Sequence, residues 1–245
     1  MKKFILSALV IAFTGLSANE FRPANYDYLI EKMPKINKGL LEIHFQLYKG
    51  YVKQVNLLNR LLEEELSRSG CTPSFTFQSI KRQFGWEFNG MVLHEYYFSN
   101  LGSNEKMSKN TMVMKKIKEQ WGSYEKWFEA FRQTCLQRGI GWAILYYDGE
   151  KDSLYNCWVA DHDEGPLVGA TPLLVIDLWE HAYLCQFGTN RERYIDTIFE
   201  YVDWNVVNRR MKFAISSQKA KQLRIPKPVQ ECRLEKSEEK KSDSR

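Results

Sequence analysis

The spacing of apolar residues changes at Trp142, and no other feature limits the fold as much. From Ile36 to about Arg68, Leu40, Leu41, His44, Leu47, Tyr51, Val55 and Leu58 recur every three or four residues, one stripe of a long helix. Gly70 to Pro73 break it. Helical patterns return over roughly 88–101 and over 106–138, the latter with a break near Gly122. At Trp142 the period shortens. Trp142–Tyr147 and Leu154–Ala160 flank an Asp148-Gly149 turn and predict a hairpin, and Pro172–Ile176 predicts a third strand. Helices are expected again at about 179–187 and 191–212. The predicted class is α+β: an N-terminal helical hairpin followed by an α/β domain with a three-stranded antiparallel sheet.

The two ends of the chain read differently from its body. Lys2-Lys3 and the apolar run Phe4–Leu16 have the form of a secretory signal, too short to span a bilayer, with cleavage expected near Ala18. Export to a periplasm or out of the cell follows, with no membrane span in the mature chain. Residues 216–245 are rich in Lys, Glu and Ser and cannot bury enough apolar surface to fold. The expected divisions are 1–18 signal, 26–104 helical hairpin, 105–213 α/β domain and 214–245 disordered tail.

Charge follows the same division. The net +5 comprises +4 in residues 216–245 and +2 from Lys2 and Lys3, which leaves residues 4–215 at −1. A basic face for nucleic acid is therefore not expected. Cys71, Cys135, Cys157, Cys185 and Cys232 are odd in number and lack CxxC spacing, which argues against a zinc knuckle or a disulfide framework.

Only four histidines are present. His44 lies on the helix stripe, His94 in LHEYYF, His181 in DLWEHAY four residues after Asp177, and His162 in the polar loop ADHDEG. A lone histidine on an apolar face is most often a core residue with one hydrogen-bond partner. Three imidazoles and a carboxylate on elements that must pack together suit a transition metal such as iron, manganese or zinc.

DLWEHAY at 177–183 resembles the D-x-W-E-H-A-Y signature of the iron/manganese superoxide dismutases. YVKQVN at 51–56, LHEYYFSNL at 93–101, GIGWAILYYD at 139–148 and, more loosely, VDWNVV at 202–207 resemble further family segments in the same order. The resemblance spans roughly 26–212. It implies one iron or manganese ion per subunit, held by His44, His94, Asp177 and His181. It also implies superoxide as substrate, Tyr51 as gateway and His162 as a hydrogen-bonding group beside the metal. Trp142, Trp179 and Phe98 become pocket walls, Glu180 the bridge of a homodimer, and Arg191 part of the substrate funnel. A catalytically silent member acting as a structural or interaction protein is the alternative.

Three positions depart from the family pattern. His44 and Tyr51 are seven residues apart where relatives have eight, so the first long helix is expected to lack a bulge. Leu184 replaces a tyrosine that reaches across the dimer in relatives, whose histidine partner is also missing here. Phe98 replaces a tryptophan. Gly90, four residues before His94, stands where some iron enzymes carry glutamine, which leaves its role to His162.

Overall fold

A computed structural model gives the fold and describes residues 20–69 and 74–224. After a short helix α1 (Tyr28–Lys32), two long helices, α2 (Lys38–Ser69) and α3 (Phe75–Ser99), form the N-terminal hairpin. Helix α2 buries Leu40, Leu41, His44, Tyr51, Val55 and Leu58 along the predicted stripe. It is α-helical throughout, with no bulge between His44 and Tyr51. Seven residues make two turns, so both side chains share a face.

Helix α3 begins thirteen residues earlier than the apolar pattern suggested. Ser74 accepts a hydrogen bond from the Phe77 amide and caps it. The first turns carry Phe77, Ile80 and Phe84 at three- and four-residue steps, a stripe that continues into Phe88 and that the expected start near 88 left out; these side chains are only partly buried, and Phe75 is 84% exposed. The predicted break at 70–73 and the signal at 1–18 lie outside the described residues.

Helices α4 (Met112–Trp121) and α5 (Tyr124–Cys135) follow, capped by the Thr111 and Ser123 side chains. Gly122, at φ +81°, ends α4 in a conformation that other residues rarely adopt. Strands β1 (Trp142–Asp148), β2 (Ser153–Val159) and β3 (Thr171–Asp177) form one antiparallel sheet in the order β2-β1-β3. Trp142 pairs with Val159 on one side and Asp177 on the other. The start of β1 thus lies between the ends of β2 and β3, and this register sets the site.

The expected helix at 179–187 is a 3₁₀ turn, Glu180–Ala182, followed by the single-turn α6 (Leu184–Phe187). The expected helix at 191–212 is two helices, α7 (Arg191–Phe199) and α8 (Trp204–Arg224). Asp203 breaks the run: its amide donates to Asn100 O while its carboxylate accepts from the Asn205 amide and starts α8. Helix α8 continues through 214–224, a stretch assigned from composition to the disordered tail. Ala214 is buried and Gln218 packs over Gly149, so this part of the segment is anchored. Residues 225–245 lie outside the described residues. No helix among the described residues is long and apolar enough to cross a membrane.

Candidate metal centre

Four elements deliver one group each to a common point. His44 comes from α2, His94 from α3, Asp177 from the last position of β3 and His181 from the 3₁₀ turn. One donor atom from each lies within 4.8 Å of all the others. Asp177 Oδ2 is 3.1 Å from His44 Nε2, 3.2 Å from His181 Nε2 and 3.7 Å from His94 Nε2. His44, His94 and Asp177 are buried, and the His181 side chain is 21% exposed.

Neighbouring groups orient each donor. Asp177 Oδ1 accepts from the Trp179 amide at 2.8 Å, which turns Oδ2 toward the histidines. The Asp177 carbonyl accepts from the Tyr194 hydroxyl, itself 3.0 Å from the Tyr97 hydroxyl. His94 Nδ1 lies 2.6 Å from Gly90 O, which can only accept. The ring proton of neutral His94 is therefore on Nδ1, and Nε2 carries a lone pair toward the cluster.

This arrangement fits a cation. Buried His94 Nε2 has no hydrogen-bond partner, and it faces a carboxylate oxygen. Two electron-pair donors facing each other away from water are costly unless a positive charge lies between them. Burial lowers His44, and together with neighbouring His44 it lowers His94 to about 3. Burial alone would raise the Asp177 carboxyl, but His181 and His44 outweigh it and hold Asp177 well below the usual carboxylate range. Neutral His44 and His94 and an ionised Asp177 are in the ligand forms that metals require. Three nitrogens and one oxygen suit a transition metal such as iron, manganese or zinc.

Aromatic rings enclose the cluster. Phe98 packs edge-on to His44 at 4.8 Å between centroids, and Trp142 packs edge-on to His94 at 5.0 Å. Trp179 stacks on His181 at 5.9 Å, and Tyr51 lies 5.0 Å from His94. His162, buried and lowered by burial to about 4, accepts from Trp142 Nε1 at Nδ1, 3.1 Å away. An indole nitrogen only donates, so the proton of neutral His162 is on Nε2, which donates to the Tyr51 hydroxyl at 2.9 Å. Both nitrogens of His162 are thereby committed, and Tyr51 retains its own hydrogen to donate. Burial and the Asp177 charge raise the Tyr51 hydroxyl above its ordinary pKa, which keeps it protonated.

The chain belongs to the iron/manganese superoxide dismutase family. Residues 109–210 match the family model for the iron/manganese superoxide dismutases, C-terminal domain. The chain is 30% identical over 206 residues to superoxide dismutase (Mn) 1 of Halobacterium salinarum, covering 81% of this chain and 98% of that protein. It is 30% identical over 187 residues to superoxide dismutase (Fe) of Cupriavidus metallidurans, covering 75% of this chain and 92% of the relative. It is 32% identical over 187 residues to superoxide dismutase (Mn) of Haloarcula marismortui, covering 76% and 90%.

The remaining family positions lie around this centre. Glu180 is exposed beside His181, and Leu184 is 43% exposed. Arg191 donates to Gln137 O, Gly139 O and Leu178 O and to the Tyr183 hydroxyl, so its guanidinium ties together the loops behind Asp177. Tyr48, fully buried, donates to Glu95 Oε1 and accepts from the Ala24 amide; its hydroxyl is satisfied within the chain.

Sequence reasoning missed Trp86, which lies 4.5 Å from the His162 ring and 5.7 Å from the Tyr51 ring. Its signal was helical spacing: Gly90 and Trp86 stand about one and two turns before His94. A Cβ on Gly90 would sit 2.7 Å from the Tyr51 ring and 3.1 Å from His162 Nε2. Glycine is required here by close approach, and the space it leaves is taken by the Tyr51–His162 pair.

Proposed function

We propose that this chain is a superoxide dismutase, converting superoxide to oxygen and hydrogen peroxide with one iron or manganese ion held by His44, His94, Asp177 and His181. The observation that carries the reading is the convergence of these four donors with His94 Nε2 buried and unpartnered. When bound, the ion supplies one-electron exchange between two oxidation states, which both halves of the dismutation need.

The chain's residues supply the rest. Asp177 would offset part of the ionic charge, its Oδ2 lying 3.1 Å from His44 Nε2 and 3.2 Å from His181 Nε2. Trp142, Trp179 and Phe98 keep bulk water from the donors, in a site that admits a small anion. Peroxide formation consumes protons, and the directed series Trp142, His162, Tyr51 ends on a hydroxyl with a hydrogen to give. His162 acts through Tyr51, because both its nitrogens are occupied. The silent alternative would account for a degraded donor set; here all four positions are filled.

Export through residues 1–18, assembly as a homodimer through Glu180, and a boundary near residue 104 between two domains belong to the same proposal. Leu184 and the internally satisfied Tyr48 fit a dimer without the second bridge of its relatives. The test is metal analysis of the purified full chain with dismutase assays after iron loading and after manganese loading. Activity with either metal supports the reading, and activity with neither overturns it. N-terminal sequencing of the exported product tests cleavage near Ala18.

A further inference from the structure

The loop that carries His162 is built from few bonds. Ala160 and Glu164 close it with a reciprocal pair of backbone hydrogen bonds, and Asp161 within it has φ +57°. A non-glycine residue holds that left-handed conformation only where its surroundings fix it. The fixing contact comes from the other half of the molecule. Trp86 Nε1 on α3 donates to Asp161 Oδ1 at 2.7 Å, and the same indole lies against the His162 ring at 4.5 Å. Tyr51, on α2, lies 5.7 Å from the same Trp86 ring.

We infer that Trp86 is a positioning residue, a latch from the helical hairpin to the loop after β2 that holds His162 in the orientation from which its Nε2–H donates to Tyr51. The argument is geometric. His162 has one bond on each nitrogen, Trp142 fixing Nδ1 and Tyr51 receiving from Nε2. Two such bonds define the ring plane only if the backbone beneath it is fixed. Gly90 brings α3 close to His162 Nε2 without offering a side chain to bond the loop. Trp86, one turn earlier on the same helix, supplies both the ring contact and the bond to the Asp161 side chain of the loop. The latch therefore couples the two halves of the molecule at the proton-donating side of the centre, separately from the four donors. This deepens the dismutase reading and rests on Tyr51 and His162 serving that site.

The test reads His162 directly. The full chain is labelled with ¹⁵N-histidine and loaded with zinc, a diamagnetic stand-in, and the His162 signals are assigned by their loss in His162→Gln. The parent is expected to show one tautomer, protonated at Nε2, with slow exchange of that proton with water. Trp86→Phe keeps an aromatic ring but removes the donor, and Asp161→Ala removes the acceptor. Each is expected to speed Nε2 proton exchange at least about tenfold or to mix the tautomers. Asp161→Asn keeps an acceptor oxygen and tolerates the left-handed backbone, so it should restore parent-like signals. Parent-like signals in Trp86→Phe, or loss in Asp161→Asn equal to that in Asp161→Ala, would overturn the latch. Should Trp86→Phe fail to fold, the Asp161 pair decides. These signals need no turnover, so an inert parent enzyme would sink the dismutase reading and leave this result standing.

Discussion

His162 donates to Tyr51: Nε2 of the one is 2.9 Å from the hydroxyl of the other, and Trp142 Nε1 at the opposite nitrogen fixes that direction. Tyr51→Phe would keep the ring against His94 and remove the acceptor. A buried N–H without a partner costs about 1–3 kcal/mol. The variant should lose about that much stability by denaturant titration and keep its metal. Its turnover should fall by about tenfold or more, because the terminal donor of the series is gone. Unchanged turnover would show that protons take another route.

Gly90→Ala pits two effects against each other. Alanine in a helix interior gains up to about 1 kcal/mol over glycine. The new Cβ would stand 2.7 Å from two Tyr51 ring carbons, in a wall where Trp86 and His94 hold that ring. Overpacking of this kind costs about 1–3 kcal/mol. The clash should win, lowering the denaturation midpoint and turnover together; a stabilised variant with full activity would contradict the packing argument.

Arg210 ties α8 to the end of α3 and to β3. Its guanidinium donates to Leu173 O, Tyr96 O, Asn100 Oδ1 and Ser99 Oγ, and its carbon lies 4.5 Å over the Tyr96 ring. Burial lowers its pKa to about 10, still charged at neutral pH. Lysine cannot reproduce the planar fork. Arg210→Lys should cost about 2 kcal/mol or more, read by thermal or chemical unfolding.

Asp152 gives a pH test away from the centre. The bond from Lys116 Nζ holds its carboxyl below its ordinary value; partial burial opposes this and the Tyr147 hydroxyl assists it. The folded pKa is lower than the unfolded one, so this contribution is present above about pH 4 and is lost as pH falls through the folded value. Asp152→Asn tolerates the φ of +49° and removes the charge. Its stability deficit at neutral pH should shrink below about pH 4, where the two unfolding curves converge. Parallel curves from pH 6 to pH 2 would contradict the assignment.

The four donors were legible before any coordinates because histidines are scarce and DLWEHAY is a long, specific pattern. The sheet was legible because short β-branched and aromatic runs flank a turn. Other features were not. The first turns of α3 start at the Ser74 cap, and their stripe of Phe77, Ile80 and Phe84 is only partly buried, a weaker signal than the buried faces elsewhere. The break between α7 and α8 depends on Asp203 bonding to Asn100, which is distant in sequence. The first part of the supposed tail is helical because Ala214 and Gln218 find tertiary partners that composition does not reveal. Trp86 stands among other aromatic residues, Phe84 and Phe88, and its meaning comes from Asp161 on a different element.

The most direct test is iron and manganese content per chain in the purified full-length protein and in His181→Ala. His181 is the most accessible of the four donors, and its loss removes one nitrogen without opening the buried interior. The account predicts one ion per chain in the parent and close to none in the variant. Stoichiometric metal retained in His181→Ala would contradict the joint grip of the two halves on a single ion.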